Sequence, residues 1–378
     1  MRIVMIDDND IVSDSRILKE AVSLQTRHEV LILGMASDKC QTKIIRYRGT
    51  KLRVNYIALM PNVTTKFERF LRYMIFQFRV GRWLRKHKGE YDVVHASHLS
   101  TAWISEFSVS KQHKVVFDVP DYFTDSRRFM TPIKFAIKKV ETFFLNHADA
   151  VIITSEERVT QINPAKPRLL AVVFNSPDVP KTSRVAVNQK SDKTKIKLAY
   201  IGGLTPFRML PELLKVVEKD ERLTLEIAGS GILEQQVKLF ERNCDRIHFL
   251  GQVPYEQVLS IEQQADILTA LYDPAIANHR YASPNKFFEA MALGKPVVMV
   301  LGTGMATNLS DNGYGAVISG TGQIDLANGI NLLIDNRECW PRNAVRMQCD
   351  FEKKFSWRIM EKRILALYDT FEDDTIED

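Results

Sequence analysis

The sequence predicts an α/β protein built from two doubly wound, parallel-sheet domains in tandem. Three observations carry that prediction. At 378 residues and roughly 100–200 residues per domain, the chain should fold as about two domains. Short β-branched runs alternate with longer amphipathic stretches, and the alternation runs twice. Between the two series lies a stretch rich in Pro, Ser, Lys and Asp with little apolar periodicity, the signature of a linker.

In the first series strands are expected at 2–6, 29–33, 52–56, 93–95, 115–118, 150–153 and 170–173. Helical periodicity fills 15–24, 67–86, 101–109 and 133–146. Strands separated by helices imply parallel units with right-handed crossovers. The linker is placed at 177–195, closing an N-terminal domain at 1–176. In the second series strands are expected at 196–201, 223–228, 247–250, 267–271, 297–300 and 316–318. Helices should fall at 211–219, 233–242, 255–264, 284–293 and 325–335. This C-terminal domain spans 196–354. Residues 355–378 form a last helix (356–371), expected to return to the N-terminal domain, and an acidic, frayed tail. Two such domains facing each other would make a cleft at the carboxyl ends of both sheets, where open α/β sheets bind ligands.

Composition removes several function classes. Hydrophobic residues are 45% and charged residues 26%, an ordinary globular balance that excludes collagen-like and disordered chains. No run approaches the ~18–20 apolar residues of a membrane span. The N-terminus turns acidic after six residues, leaving no room for a signal-peptide core. A cytoplasmic protein is therefore expected. Cys40, Cys244, Cys339 and Cys349 lie far apart, as reduced thiols do rather than a disulfide framework or a zinc site. The net charge of +6 hides an asymmetry. Residues 1–190 carry 31 Lys and Arg against 19 Asp and Glu, whereas 191–378 carry 21 against 27. The first half should meet something anionic.

The most informative segment is Y-A-S-P-N-K-F-F-E-A-M-A-L-G-K-P-V-V, residues 281–298. Ser283 is suited to a helix N-cap and Pro284 to the first helical position. Asn285 and Glu289 then share a face, with Lys286 beside them. A helix N-terminus with an adjacent lysine is a natural anion site, and a carboxylate one turn in can accept hydrogen bonds from a ribose diol. A capped core helix with a surface Lys–Glu pair accounts for the same residues.

This segment resembles the donor-site helix of the group 1, retaining glycosyltransferases of GT-B fold, the Glu-x7-Glu type of bacterial polysaccharide biosynthesis. Other pieces resemble the family in the same order over nearly the whole chain. They are D-S-R-I-L-K-E-A (14–21), V-V-H-A-S-H-L (93–99), F-D-V-P-D (117–121), A-D-A-V-I-I-T-S-E (148–156), V-F-N-S-P-D-V (173–179), Y-I-G-G-L (200–204), V-P-Y (253–255) and F-S-W-R (355–358).

The resemblance implies two Rossmann-like domains, the N-terminal one binding an acceptor and the C-terminal one a nucleotide sugar. Glu289 would be the second glutamate of the motif and hold the donor ribose. Lys286 and Arg208 would contact the donor diphosphate, with Ser283 and Asn285 beside them, while Gly202 and Gly203 admit the phosphates to the backbone. The first glutamate is replaced by Tyr281, and the glycine that usually follows the basic residue by Met209. On the acceptor side the resemblance points to His98, Asp118, Asp121 and Arg16. His98 and Asp121 are candidate catalytic groups, as are Arg208 and Lys286. Either His95 or His98 could face the cleft. Arg16 could equally serve only as a first-turn salt bridge to Asp14 or Glu20, and Asp118 only cap a loop.

Asp8-Asn9-Asp10 spells a D-x-D triplet, but it merely follows the first strand. No metal or other cofactor is expected, only a UDP- or GDP-sugar substrate.

Residues 66–88 carry eight Lys and Arg against one Glu. Arg72, Arg79, Arg82 and Lys86 fall within about a quarter of the helical wheel at ~100° per residue. Phe67, Phe70, Leu71, Met74 and Phe78 occupy another face, with Phe76 and Trp83 near its rim. A core helix with a basic solvated face fits this pattern. So does an interfacial helix drawn to the anionic inner face of the cell membrane, which is the reading taken here. The expected function is metal-independent transfer of a sugar to a glycan or lipid-linked acceptor with retention. A nucleotide-sugar 2-epimerase of the same fold is the alternative within the enzymes. A nucleic-acid-binding protein using the basic half is the alternative outside them. No nucleic acid is expected as a partner, because aromatic residues are not spaced as stacking platforms.

Overall fold

The structure, a computed structural model, describes residues 1–12, 14–36, 40–59, 65–127, 129–179 and 195–373. Most of the linker expected at 177–195, and the end of the acidic tail, lie outside the described residues. The chain divides into two compact units, one of Met1–Phe174 with Met360–Asp378 and one of Asn175–Ile359. The end of the last helix, Trp357–Asp373, thus belongs to the first unit.

Among the described residues the first unit holds eight strands: β1 (Arg2–Ile6), β2 (Glu29–Ala36), β3 (Gln41–Tyr47), β4 (Thr50–Ala58), β5 (Val93–Ser97), β6 (Lys114–Val119), β7 (Ala150–Ile153) and β8 (Leu170–Val172). Their order is β3-β4-β2-β1-β5-β6-β7-β8. All neighbours are parallel except β3 and β4, which pair antiparallel from Gln41↔Tyr56 to Tyr47↔Thr50. This hairpin was not expected from the sequence. Arg48 and Gly49 close it with φ of 52° and 81°, the two left-handed residues a tight hairpin needs. Gly49 supplies one at no steric cost, but Arg48 is not a residue that announces the other.

The second unit holds β9 (Ile196–Ile201), β10 (Leu223–Ala228), β11 (Ile247–Phe249), β12 (Ile267–Ala270), β13 (Val297–Val300) and β14 (Gly315–Ile318). The order β11-β10-β9-β12-β13-β14 is parallel throughout. β12 and β13, in the middle of the sheet, are buried at every position, as happens where helices cover both faces of a parallel sheet. Leu198, Leu213, Leu225, Val298 and Ile330 sit in one core cluster. Helices Ala306–Asn312 and Trp340–Asp350 were not expected. In both sheets the strand order reverses beside the first strand of the unit, at β1/β5 and at β9/β12, and such switch points open a crevice at the carboxyl ends.

Helix Lys66–Lys86 opens on a capping box: the Thr65 hydroxyl accepts from the Glu68 amide (3.1 Å) and Glu68 from the Thr65 amide (2.8 Å). Its buried face is Phe76, Val80 and Leu84, packed with Val4, Leu33 and Val94. Phe76 is therefore a core residue and not a rim residue. The stripe Phe67, Phe70, Leu71, Met74 and Phe78 stands exposed instead. Arg79, Arg82 and Lys86 are exposed beside it and Arg72 is half-buried. Among the described residues no helix is long and apolar enough to cross a membrane.

Candidate active site

In the second unit the carboxyl end of β9 continues as Gly202-Gly203. A Cβ on Gly202 would meet nothing within 4 Å, and one on Gly203 only the Thr205 methyl at 3.9 Å. These glycines are thus not demanded by packing, and their backbone lies open to an approaching group. Gly229, after β10, is the opposite case. Its Cβ would fall 1.9 Å from the Gly202 carbonyl oxygen, so only glycine lets the two loops pack. The run A-G-S-G at 228–231 was the sequence signal for this support, and it was missed.

The chain then makes a short turn, Pro206–Arg208, capped by Met209 at φ 49°. The position usually glycine in the resembled family keeps a left-handed backbone here with a methionine in it. Arg208 lies over the Tyr272 ring, 3.6 Å from its centroid, and Tyr272 follows β12. Burial raises the pKa of Tyr200, while Arg208 and Lys286 act on it in the other direction. Both cations therefore lie within electrostatic reach of one hydroxyl at the switch point. The Tyr200 hydroxyl donates to the Gly203 carbonyl (2.7 Å).

Helix Asn285–Leu293 ends at Gly294 with φ 66°, where a left-handed residue releases the chain toward β13. At its start the expectation about Ser283 needs correction. Pro284 occupies the N-cap position and no side chain caps the helix. The Ser283 hydroxyl is buried with no hydrogen-bond partner. Proline at the cap position has no side-chain acceptor to offer, so the first turn keeps donors unspent.

The Lys–Glu pair is not on the surface. The Lys286 ammonium is 2.5 Å from Glu289 Oε2 and 2.8 Å from Glu262 Oε1. Both carboxylates are closed to solvent, and Lys286 keeps 15% of its side chain exposed. The Tyr255 hydroxyl donates to Glu289 Oε1 (3.3 Å). Burial, then the neighbouring Glu289, pushes the Glu262 carboxyl up to about 8. Burial alone would lower the Lys286 pKa, but the two carboxylates hold the ammonium charged and raise it. Glu262 was missed in the sequence. Its signal was a carboxylate one turn after the buried Val258 on helix Tyr255–Gln264.

In the first unit, helix His98–Glu106 begins three residues earlier than expected, directly at the end of β5. His98 takes φ 72°, a strained conformation of the kind that collects at functional sites. Its Nε2 is 2.9 Å from the Asn9 side-chain amide and 3.8 Å from Asp7 Oδ1. Burial pushes Asp7 up to about 7 against the opposing pull of His98. Of the two histidines, His95 is sealed in the core, between Glu20 (3.2 Å) and the Tyr368 hydroxyl (2.8 Å).

Arg16 and Asp118, expected on the acceptor side, are corrected by their burial. Arg16 spends its fork on Asp118 (Nε 2.8 Å, Nη2 2.6 Å), its Nη1 on the Val173 carbonyl (3.0 Å), and pairs with Glu20 (3.0 Å). The salt bridge to Glu20 is present, but as part of a buried network. Asp121, beyond β6, stays 59% exposed and pairs with the buried Arg158 (3.0 Å).

Among the described residues two groups have metal-ligand spacing, Asp7-Asp8-His98 and Glu20-His95-Asp118. Arg16 already occupies the second. Asp10 of the D-x-D triplet belongs to neither. The cysteines are all free.

Residues 183–348 match the family described as "Glycosyl transferases group 1", and residues 17–175 the family described as "Glycosyltransferase Family 4". A 179-residue stretch is 26% identical to D-inositol 3-phosphate glycosyltransferase of Mycolicibacterium smegmatis, covering 45% of this chain and 39% of that relative. Among solved structures, sucrose-phosphate synthase from Thermosynechococcus elongatus superposes with a TM-score of 0.77 at 16% identity, over 99% of this chain and 100% of that one. Anabaena HepE, in complex with UDP and glucose, superposes with a TM-score of 0.70 at 17% identity, over 98% and 99%. At these identities the likeness shows the shared GT-B fold.

Proposed function

We propose, for a chain that belongs to the group 1 glycosyltransferases, transfer of a sugar from a nucleoside-diphosphate sugar in the second unit to a glycan or lipid-linked acceptor in the first. The observation that carries the donor half is the convergence of Arg208, Lys286 and an uncapped helix N-terminus on the switch point β9/β12. Two phosphate charges must be neutralised as the nucleotide leaves, and these groups are positive and gathered at that end of the sheet. The UDP named for Anabaena HepE supports a nucleoside diphosphate as the leaving group. The open backbone at Gly202 and Gly203 admits the phosphates, and Glu289 accepts the ribose hydroxyls in exchange for part of its contact with Lys286. The transfer is proposed to retain configuration and to need no metal, the charge being met by side chains. His98, backed by Asn9 and Asp7, polarises a hydroxyl on the acceptor side.

The acceptor is proposed to belong to cell-surface polysaccharide assembly at the inner face of the membrane. What supports this is the exposed stripe Phe67, Phe70, Leu71, Met74 and Phe78 alongside the basic residues Arg72, Arg79, Arg82 and Lys86.

Thermal shift against UDP, GDP and their sugars tests the donor half. A true donor at 100 times its dissociation constant should add about 2.7 kcal/mol of stability. Glu289→Ala should weaken donor binding by roughly 10–150-fold, the loss of a charge-assisted hydrogen bond worth about 1.5–3 kcal/mol. EDTA should leave turnover unchanged. A fully active Glu289→Ala protein, or activity abolished by EDTA and restored by Mg²⁺, would overturn this reading.

A further inference from the structure

The first unit contains a cavity of about 640 Å³, within the ~300–1,000 Å³ range of small-molecule sites. Its wall is almost all carbon, with Tyr73, Leu99, Trp103, Phe107, Phe143 and Phe144 as its principal residues. One end of it is polar. There the Ser100 hydroxyl donates to Asp8 Oδ2 (2.5 Å), and the Tyr73 hydroxyl hydrogen-bonds with the same two residues. Leu99 and Ser100 follow His98 directly on the first turn of helix His98–Glu106. The cavity therefore begins within two residues of the strained histidine at the β1/β5 switch point.

Cations stand on its rim. Lys139 contributes to the lining, and Arg127 lies 4.6 Å over the ring of Phe123, another lining residue. Exposed Val140, Phe143 and Phe107 continue the apolar wall outward.

We propose that this cavity holds the hydrocarbon chain of the acceptor, an anionic long-chain lipid phosphate whose head is thereby presented to His98. The proposal rests on the acceptor reading above and deepens it: the chain is gripped by the protein and not left in the bilayer. Three features select that occupant. The carbon lining suits a hydrocarbon, since leaving such a surface to water is costly. Lys139 and Arg127 match a phosphate by charge. The hydrogen-bonded end at Ser100 and Asp8 joins the cavity to the reacting end of the unit, where a bulk phospholipid has no reason to point.

Calorimetry of the full chain with dodecyl phosphate, below its micelle concentration, tests this directly. One molecule per chain should bind with a negative heat-capacity change, the mark of apolar burial. Inorganic phosphate and the uncharged dodecyl maltoside should bind far more weakly. Val140→Asn with Phe143→Asn changes two partly exposed lining positions without adding charge, and circular dichroism checks that the variant is folded. Dodecyl phosphate should bind this variant about tenfold more weakly or worse, because apolar contact with the chain is lost. UDP binding should not change. Replacing Arg72, Arg79, Arg82 and Lys86 with Gln should release the protein from anionic vesicles yet leave dodecyl phosphate binding intact. Equal binding by the Val140/Phe143 variant, or equal affinity for dodecyl maltoside, would overturn the proposal. Loss of UDP binding alone would sink the donor reading and leave this one standing.

Discussion

Each unit of the molecule buries one cation between two carboxylates, and the two arrangements behave differently. In the first unit Arg16 sits between Asp118 and Glu20; in the second Lys286 sits between Glu262 and Glu289. The guanidinium is a rigid fork, and here every direction of it is spent: two bonds to Asp118, one to the Val173 carbonyl and a pairing with Glu20. His95 and Tyr368 close the other side. Such a network ties β5, β6, the residue after β8, the first helix (Ser15–Gln25) and the last one together, with no group of Arg16 left to meet a substrate. An ammonium is a compact point charge on a flexible stem. Lys286 keeps a partly exposed side chain and stands at an uncapped helix start beside a partnerless hydroxyl, so it can re-aim toward a phosphate. One basic side chain between two acidic ones thus gives a structural rivet in one unit and, on the proposed function, a binding device in the other.

The comparison can be broken most forcefully at Arg16. Arg16→Leu leaves two carboxylates buried without their cation, which costs about 3–5 kcal/mol. The first unit should unfold at much lower urea concentration, read by circular dichroism. If stability falls by less than about 1 kcal/mol, the network is not a rivet. A smaller effect should come from Glu262→Gln. The folded protein holds the Glu262 proton up to a pH of about 8, whereas the unfolded chain releases it near 4.5. Stability from this group is therefore fully present below pH 4.5 and declines as pH rises toward 8. Glu262→Gln should flatten the slope of unfolding free energy over that window by up to about one proton. An unchanged slope would mean that Glu262 is ionised in the folded state. The smallest effect on stability should be that of Ser283→Ala. A true N-cap lost would cost ~1 kcal/mol, but this hydroxyl caps nothing. The melting temperature should stay within the equivalent of ~0.5 kcal/mol, while affinity for the nucleoside diphosphate drops. A full capping loss with unchanged affinity would reverse the roles assigned to the two ends of that helix.

Much of this was legible from residue patterns. The strands expected at 2–6, 150–153, 196–201, 223–228 and 297–300 coincide with β1, β7, β9, β10 and β13. Parallel strands buried on both faces are continuous apolar runs, and Gly or Pro punctuates them. Helix 284–293 was legible for the same reason, with Gly294 at its end. β3 was not, because Thr42, Lys43 and Arg46 make it an exposed edge strand without the apolar signal of its neighbours. Helix Lys66–Lys86 was located and its stripe Phe67, Phe70, Leu71, Met74 and Phe78 stands exposed, but Phe76, expected near the rim, packs in the core: composition alone cannot tell an apolar side chain that packs from one that stands exposed.

The sequence by itself determined the two-unit parallel architecture, the family resemblance and the positions of Arg208, Lys286 and Glu289. Those depend on local periodicity and on residues close together in the chain. The tertiary structure decided which charges meet. Glu262 joins Lys286 across 24 positions and Asp118 joins Arg16 across 102, distances over which no periodicity carries information. It also decided which charged groups lose water, and hence that Arg16 is sealed while Lys286 stays reachable. Burial is a property of what the rest of the chain places around a side chain, and no residue states it alone.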